Sequence, residues 1–191
     1  MRLEDNRAMI LLIGASASGK SEIAKALAAD YHITKAITHT TRGMRVNERQ
    51  DIDYHFVDVP TFLAMKENGE FVETTFYNGN YYGCSKKEMA IDKAVVVDPQ
   101  GLLNFRATGE KSLVAFLLLA SKATRYERMK GRGDDEAAIL KRLEGDDKVF
   151  AIDAIAPCDF VIDTEGKTVS ELTKTVYECY LQQLKKINAS V

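Results

Sequence analysis

The chain has 191 residues and a formal net charge of −2 at pH 7, a length that suits one domain with insertions. Because there is no basic excess, a nucleic-acid polymer is not expected as a partner. The longest apolar runs are too short to cross a bilayer.

The cysteines and the first residues indicate the compartment. Cys84, Cys158 and Cys179 are widely spaced and form no C-x-x-C pair, which is typical of reduced thiols and argues against a zinc site. The N-terminal residues lack the apolar core of a signal peptide. We therefore expect a cytoplasmic protein that makes no membrane contact.

The first predicted element is a buried strand over residues 8–13, a continuous apolar run. A loop follows that fits G-x-x-x-x-G-K-[ST], a pattern that cradles phosphates with backbone N–H groups. Its members are Gly14, Ala15, Ser16, Ala17, Ser18, Gly19, Lys20 and Ser21. A helix over residues 21–29 then places Ile23, Ala24 and Leu27 on one face.

The position of this loop between a buried strand and a helix predicts a nucleotide-phosphate site. Lys20 can reach the outer phosphates, and the Ser21 hydroxyl can hold a magnesium ion. The alternative is a flexible Gly/Ser turn between two core elements.

The segment 31–83 predicts a small, mostly β insertion. Its extended pieces and its one brief helix alternate over short distances, and Asn78-Gly79 is a strong hairpin signal. The predicted strands are 35–38, 54–57, 70–76 and 80–82, and the predicted helix is 60–66.

Strand–helix alternation returns after this insertion. The predicted helices are 85–91, a helix that ends near 107, and one that Ser121 caps, and the predicted strands are 94–97, 113–119 and 160–162. Asp98 follows the strand 94–97, where it is placed either to act on Mg²⁺ through water or to cap the next helix. Residues 125–142 are rich in arginine, which is also the pattern of a solvated helical face.

The last helix begins at a capping box, Thr168-x-x-Glu171. Its predicted apolar face consists of Val169, Leu172, Val176, Tyr180 and Leu184. Repeated strand–helix units predict an α/β fold with a parallel sheet, right-handed crossovers and ligands at the carboxyl ends of the strands. With the phosphate loop, this is a P-loop NTPase-type sheet flanked by helices.

Three further motifs give the chain a family resemblance. Residues 38–45 read T-H-T-T-R-G-M-R, residues 53–57 read D-Y-H-F-V and residues 79–83 read G-N-Y-Y-G. Because these motifs follow a phosphate loop in this order, the chain resembles guanylate kinase. The resemblance runs from about residue 8 to 186. The family carries S-x-T-T-R-x-P-R, D-Y-x-F-V, G-E-F-[IL]-E and G-N-Y-Y-G.

The resemblance implies a single domain in three parts that transfers the γ-phosphoryl group of ATP to GMP with Mg²⁺. Its core would span about 8–34, 84–124 and 146–191, its GMP-binding insertion about 35–83, and its helical lid about 125–145. Both substrates are small molecules, and the oligomeric state is left open.

On the acceptor side, the resemblance implies that Arg42 and Arg45 bind the GMP phosphate, because guanidinium groups form charge-assisted forks to such a dianion. Tyr54 and Tyr82 would add hydroxyl hydrogen bonds to it. Glu73 would accept hydrogen bonds from two donors of guanine. Thr38 and Cys84 complete the expected set of acceptor-binding residues. The family usually has Ser at the position of Thr38, and Ser or Thr at the position of Cys84.

On the donor side, the resemblance implies that Lys20, Arg132 and Arg142 meet the charge that develops on the transferring phosphoryl group. Arg128 resembles the lid arginine that lies against adenine. Asp98 and Ser21 are the expected Mg²⁺ residues.

Four departures from the family pattern concern base reading and the lid. Cys84 is a weak hydrogen-bond partner, and Val96 stands where the family has an acidic residue. The lid is one residue shorter between Arg132 and Arg142, which would rotate Arg142 on its helix. The family's V-x-N-D-D reads V-I-D-T-E at residues 161–165.

These departures leave two alternatives to a guanylate kinase. One is a P-loop kinase of a different small phosphate acceptor, which would use the altered pocket. The other is a catalytically weak binding module, against which the retained Lys20, Ser21 and lid arginines argue.

Overall fold

The computed structural model describes residues 7–77, 79–151 and 155–189. Its strands are β1 (Met9–Ile13), β2 (Thr34–Lys35), β3 (His39–Thr40), β4 (His55–Phe56), β5 (Phe71–Tyr77), β6 (Asn80–Ser85), β7 (Lys93–Val97), β8 (Leu113–Leu119) and β9 (Phe160–Asp163). Its helices are α1 (Lys20–Tyr31), α2 (Val59–Glu67), α3 (Pro99–Ala107), α4 (Lys122–Gly131), α5 (Glu136–Val149) and α6 (Val169–Ala189).

The main sheet is parallel and has the order β2-β7-β1-β8-β9. The central strand β1 is buried along its whole length, because helices cover both faces of the sheet. One apolar cluster joins alternate residues of β1 to α1 and α6, through residues such as Ile10, Leu27 and Val176. The other cluster joins Leu11 to Leu102 and Phe105 of α3. This arrangement confirms the predicted α/β fold with a parallel sheet.

A second sheet of four strands has the order β4-β3-β6-β5. Its strands β5 and β6 are antiparallel, and β5 packs against α3 of the main layer. The second sheet therefore stands at the carboxyl edge of β7, next to the loop that follows β1. The predicted hairpin turn includes Asn78, which lies outside the described residues.

Helices α4 and α5 pack on each other around a small apolar cluster of Met129, Ile139 and Leu143. Ala17 of the glycine-rich loop packs against this cluster, so the two arginine-bearing helices rest on that loop. Within the described ranges, no helix has both the length and the apolarity that crossing a bilayer requires.

Side-chain caps fix where most helices begin. Ser121 accepts from the Thr124 N–H at 3.1 Å, as predicted, and Asp98 accepts from the Gly101 N–H at 2.7 Å. The predicted capping box is also present, with Glu171 accepting from the Thr168 N–H at 2.9 Å. These bonds satisfy N–H groups that have no partner within a helix.

Two local predictions are wrong. Residues 85–91 contain only a short 3₁₀ turn, Lys86–Glu88, because β6 continues to Ser85, which pairs with Phe71 of β5. Val169 is 43% exposed rather than part of the buried face of α6, because it lies in the first turn, at the rim of a cavity.

Candidate functional site

Two cavities meet at Lys20, which lines both. The first, about 170 Å³ and here named the Glu73 cavity, lies between the two sheets; its lining includes Gly14, Ser16, Lys20, Thr38, Tyr54, Glu73, Thr75, Tyr77, Tyr82, Val96, Asp98 and Phe150. The second, about 530 Å³ and here named the Arg128 cavity, lies between α1, α4 and α6; its lining includes Ala17, Gly19, Lys20, Ser21, Arg128, Arg132, Lys167 and Val169.

The loop after β1 depends on a glycine at its first position. Gly14 has φ 152°, and a Cβ built there would lie 2.5 Å from the backbone oxygen of Leu118. No larger residue fits, because the conformation and the close approach both exclude a side chain. This contact holds the loop directly against the end of β8.

The Lys20 ammonium group lies inside the loop. Its Nζ donates to the carbonyl oxygens of Gly14 at 2.6 Å and Ala15 at 2.7 Å. Burial lowers its pKa to about 8, and the nearby carboxylate of Asp146 opposes that shift. Lys20 is therefore still cationic at neutral pH, with backbone oxygens that an arriving phosphate can replace.

Glu73 is a buried acid on β5, only 7% exposed. Its Oε1 accepts from the Cys84 N–H at 3.1 Å. Burial, and next the charge of Asp98, raise the pKa of Glu73 to about 8. This carboxyl group is therefore easily protonated, and a ligand that donates hydrogen bonds to it would favour its ionised form.

Asp98 belongs to the wall of the Glu73 cavity and also caps α3. Its Oδ1 accepts from the Gly101 N–H, and its Oδ2 accepts from the Thr75 hydroxyl at 2.6 Å. A Cβ on Gly101 would lie 3.3 Å from Asp98 Oδ1 and 3.4 Å from Glu73 Oε2. The absence of a side chain at Gly101 therefore lets the two acids stand at one end of the cavity.

Cys84 does not line the cavity in the way the sequence predicts. Its side chain is fully buried in the apolar cluster beneath α3, and its Sγ lies 3.8 Å from the backbone oxygen of Ser85. Burial raises the pKa of the thiol to about 12, so it stays protonated. Cys84 contributes its backbone N–H, which orients Glu73. Val96, in contrast, does line the cavity and offers no hydrogen-bonding group there.

Thr38, Tyr54 and Tyr82 lie on the wall of the Glu73 cavity that the second sheet forms. The two tyrosine rings meet edge to face, with centroids 6.4 Å apart. The guanidinium carbon of Arg42 lies 5.5 Å from the centroid of Tyr54. The structure thus brings these predicted residues together at one end of the cavity.

The two arginines of the loop after β3 are paired with an acid that the sequence analysis missed. Arg42 Nη2 lies 2.8 and 2.9 Å from the two oxygens of Glu48, and the Arg45 N–H donates to the same carboxylate at 2.9 Å. Burial alone would raise the pKa of Glu48, but these hydrogen bonds hold it below its ordinary value. Glu48 therefore occupies the anion position that Arg42 and Arg45 create.

The predicted catalytic arginines share a second acid. Asp134 Oδ2 accepts from Arg132 Nη2 at 2.5 Å and from Arg142 Nη1 at 3.4 Å. Burial alone would raise the pKa of Asp134. The pKa is nevertheless held below its usual range by the hydrogen bond from Arg132 and by the charges of Arg132, Arg142 and Arg45. The shorter lid therefore still brings Arg142 beside Arg132, and both lie within electrostatic reach of Arg45.

Arg128 joins α4 to two loops. Its Nη1 donates to the Ala17 oxygen and to Thr164 Oγ1, both at 3.1 Å, and its Nη2 donates to the Thr164 oxygen at 2.9 Å. Thr164 itself is fully buried. Arg128 therefore fixes one wall of the Arg128 cavity, beside the phosphate loop.

The two residues expected at a metal ion lie in different cavities. Ser21 is exposed and lines the Arg128 cavity, whereas Asp98 lines the Glu73 cavity and each of its oxygens already accepts a protein hydrogen bond. Among the described residues, no cluster of three or more His, Cys, Asp or Glu side chains could hold a metal ion. The donor set fits an ion held by the Ser21 hydroxyl and by phosphate oxygens.

Sequence reasoning missed the acids that hold the basic groups, and the two side chains that shape the β5 wall. These residues are Glu48, Thr75, Tyr77, Asp134 and Asp146. Glu48 lies three residues from Arg45 and Asp134 lies two residues from Arg132, so these spacings could have indicated them. Asp146 bonds to Ser16, 130 residues away, and no local pattern signals that contact.

Comparisons with known proteins agree with this arrangement. The family model described as guanylate kinase matches residues 6–180. A guanylate kinase of Chromohalobacter salexigens is 32% identical over 174 residues, which cover 85% of this chain and 79% of that protein. A guanylate kinase of Schizosaccharomyces pombe is 35% identical over 144 residues, 71% of each chain.

A solved structure shows the same fold. The crystal structure of guanylate kinase from Anaplasma phagocytophilum superposes with a TM-score of 0.71 at 25% identity, over 93% of this chain and 87% of that one. The phosphate loop, the buried acid of β5 and the arginine-bearing helices all lie within residues 6–180, which match one family. The chain belongs to the guanylate kinase family.

Proposed function

We propose that the protein transfers the γ-phosphoryl group of ATP to GMP, giving ADP and GDP. The observation that carries this proposal is the Glu73 cavity itself, whose lining includes both a buried carboxyl group and Lys20 of the phosphate loop. A guanine base with its N1–H and 2-amino donors would satisfy Glu73. Lys20 would then be available to the attached phosphate.

The division of labour follows from the groups that surround each cavity. GMP would occupy the Glu73 cavity, with Thr38, Tyr54 and Tyr82 around its phosphate. That phosphate would replace Glu48 as the anion that Arg42 and Arg45 bind. ATP would occupy the Arg128 cavity, with its phosphates in the loop of residues 14–21 and its base beside Arg128. The insertion at about 35–83 and the lid at about 125–145 would then close over a common core.

Phosphoryl transfer in this site needs alignment and positive charge more than covalent help. Lys20 lines both cavities, so it can stay in contact with the phosphoryl group as that group moves between nucleotides. Arg132 and Arg142 would release Asp134 and instead bind the negative charge that develops on the transferring phosphoryl group. The helices that carry them already pack on the phosphate loop through Ala17, and their closure over bound nucleotides would exclude water from the transfer path.

Magnesium belongs to the proposal because ATP-dependent transfer to a phosphate generally requires it. The Ser21 hydroxyl would hold the ion, and Asp98 would act at most through water. A bound ion would neutralise charge on the β- and γ-phosphates.

The test is a coupled assay of ADP release with ATP, Mg²⁺ and a panel of GMP, dGMP, AMP, CMP and UMP. Turnover that strongly favours GMP supports the proposal. Equal or better turnover with another acceptor would instead assign the cavity to a different substrate, and this outcome is the one that the apolar Val96 favours. ATP binding without turnover on any acceptor would indicate a binding module.

A further inference from the structure

One buried acid has been described so far only for its charge near Lys20 and its contacts with Ser16 and Arg125. Asp146 lies on α5 and is fully buried. Its Oδ2 accepts from the Ser16 N–H at 2.8 Å and from Arg125 Nη1 at 2.9 Å, and its Oδ1 accepts from the Tyr77 hydroxyl and, at 3.3 Å, from the Ser16 hydroxyl. A buried carboxylate is costly unless it is fully satisfied, and this one is.

The partners of Asp146 come from three separate parts of the fold. Ser16 belongs to the phosphate loop, Tyr77 ends strand β5, and Arg125 lies on α4. The carboxylate therefore ties the donor-side loop and the acceptor-side strand to the pair of arginine-bearing helices. Ser16 and Tyr77 both line the Glu73 cavity, whereas Asp146 lies behind them and does not.

This location is also close to the reacting groups. Asp146 is near enough to Lys20 to favour its charged form. On β5, Tyr77 lies four residues beyond Glu73 on the same cavity wall. A shift of the Ser16–Asp146–Tyr77 contact would thus move Lys20 and Glu73 relative to each other.

We propose that Asp146 is a positioning residue for phosphoryl transfer, which holds the phosphate loop and strand β5 in the register that aligns the two nucleotides. The inference rests on the proposed kinase function. It adds a residue that touches neither substrate and acts through Ser16 and Tyr77. Because misplacing reacting groups by about 1 Å can cost roughly a hundredfold in rate, the effect belongs in kcat.

The chain offers a matched control on the next residue. Asp147 also accepts from Arg125, at 3.2 Å, and from Lys122 at 2.7 Å, but neither Ser16 nor Tyr77 is among its hydrogen-bond partners. The variants Asp146→Asn and Asp147→Asn remove the same charge from the same helix. They differ in two respects, since Asp146→Asn disturbs the contact between the loop and β5 and also removes a charge that acts on Lys20. Tyr77→Phe, described below, separates the two, because it disturbs the contact and leaves the charge in place.

The experiment measures kcat, both KM values and the melting temperature of the two variants. We expect kcat of Asp146→Asn to fall by roughly ten- to a hundredfold, more than either KM changes, while Asp147→Asn stays within about twofold of the parent chain. Equal defects in the two variants would overturn the proposal. So would a faster Asp146→Asn, since the carboxylate would then be obstructing Ser16.

A second variant keeps the test decisive if Asp146→Asn does not fold. Tyr77→Phe removes only the hydroxyl group, and we expect kcat to fall by roughly threefold or more at an unchanged melting temperature. Where Asp146→Asn does fold, adding it to Tyr77→Phe should lower kcat by a smaller factor than adding it to the parent chain, because the two substitutions remove one shared contact. Unchanged kcat in Tyr77→Phe would contradict the proposal.

All variants are assayed on the acceptor that the parent chain prefers. If that acceptor is not GMP, the proposed function fails, but the comparison of Asp146→Asn with Asp147→Asn still decides whether the positioning role exists.

Discussion

A buried ammonium group persists at Lys20 because backbone oxygens surround it on the inside of the loop. The Gly14 and Ala15 carbonyls hold Nζ without neutralising it. The cost of burial appears as a lowered pKa, and an incoming phosphate relieves that cost. Burial of the charged Lys20 therefore lowers the stability of the folded protein, but it strengthens the binding of a phosphate.

Lys20→Ala should reduce turnover by at least about a hundredfold, because it removes the cation that lines both cavities. The fold should persist, since the lost ammonium group was paying a desolvation cost. The measurement is steady-state ADP release together with the circular dichroism spectrum. Lys25→Ala, on the exposed face of the same helix, is the control and should be active. Normal turnover by Lys20→Ala would refute the assignment of the phosphate site.

Glu73 predicts how GMP affinity depends on pH. Burial raises its pKa to about 8, and only the ionised group accepts hydrogen bonds from both guanine donors. Below pH 8 binding must first remove a proton, so affinity falls as pH falls, by up to about tenfold per pH unit. We expect KM for GMP to improve by several-fold between pH 7 and 8.5, a window in which the GMP phosphate is already ionised.

The control for this pH dependence is Glu73→Gln, which cannot ionise. Its KM for GMP should be higher and should not improve between pH 7 and 8.5. The pKa of Lys20 is also about 8, so Lys20 loses charge over this range in both proteins and the comparison cancels that effect. A wild-type profile parallel to that of Glu73→Gln would show that this carboxyl group does not bind the base.

At the scale of single elements, α3 connects the main sheet to the acceptor cavity. It begins at Asp98, packs against β5 and approaches Glu73 through Gly101. A Cβ on Gly101 would come within 2.9 Å of Val97 Cβ, a rigid contact, and within 3.4 Å of Glu73 Oε2. The start of this helix thus sets the separation of two acids.

Gly101→Ala should therefore lower the free energy of unfolding by about 1–3 kcal/mol and raise KM for GMP more than KM for ATP. Urea unfolding and steady-state kinetics measure the two effects. Gly145→Ala, on α5 with no atom within 4 Å of the added Cβ, should be neutral or stabilising by up to about 1 kcal/mol. A Gly101→Ala variant that resembles Gly145→Ala would contradict this account of the cavity.

Elements were predictable where burial decides them. The strands β1 and β8 follow from continuous apolar runs, and the starts of α4 and α6 follow from Ser121 and Thr168. The helix predicted at 85–91 failed because pairing between Ser85 and Phe71 extends β6, a tertiary contact that overrides local pattern. The spacing of apolar residues in the sequence does not indicate which residues of two strands pair.

The site was predictable to the same extent. Lys20, Glu73 and Arg132 stand in motifs, and the structure brings them around two adjoining cavities. Cys84 was misplaced, since the alternation of a strand does not tell whether a side chain faces a cavity or the core below it. Asp146 was missed because its partners come from three distant segments.

At the scale of the whole molecule, each cavity is bordered by more than one part of the fold: the Glu73 cavity by both sheets and the Arg128 cavity by α1, α4 and α6. Ligands that bridge these parts should stabilise the folded state. At about one hundred times its Kd, a ligand adds about 2.7 kcal/mol, which for a chain of this size raises the melting temperature by roughly 5–11 °C.

Thermal unfolding with ATP alone, GMP alone, and ADP with GMP measures this stabilisation. We expect each nucleotide to raise the melting temperature, and the pair to raise it further. Lys20→Ala should lose most of the ATP effect and keep most of the GMP effect. A melting temperature that GMP does not raise, either alone or together with ADP, would contradict the assignment of the Glu73 cavity to the acceptor.

Glu48 and Asp134 give the protein counterions that are part of its own chain. Under the proposed function, a phosphate that binds Arg42 or Arg132 would exchange with a carboxylate already in place, so few salt ions would be released to the solution. Association should then depend on ionic strength much less steeply than the binding of a polyanion does. Such internal exchange lets strong anion sites exist on a chain of net charge −2 while keeping them masked from abundant anions, so that only a ligand shaped to displace the carboxylates gains access.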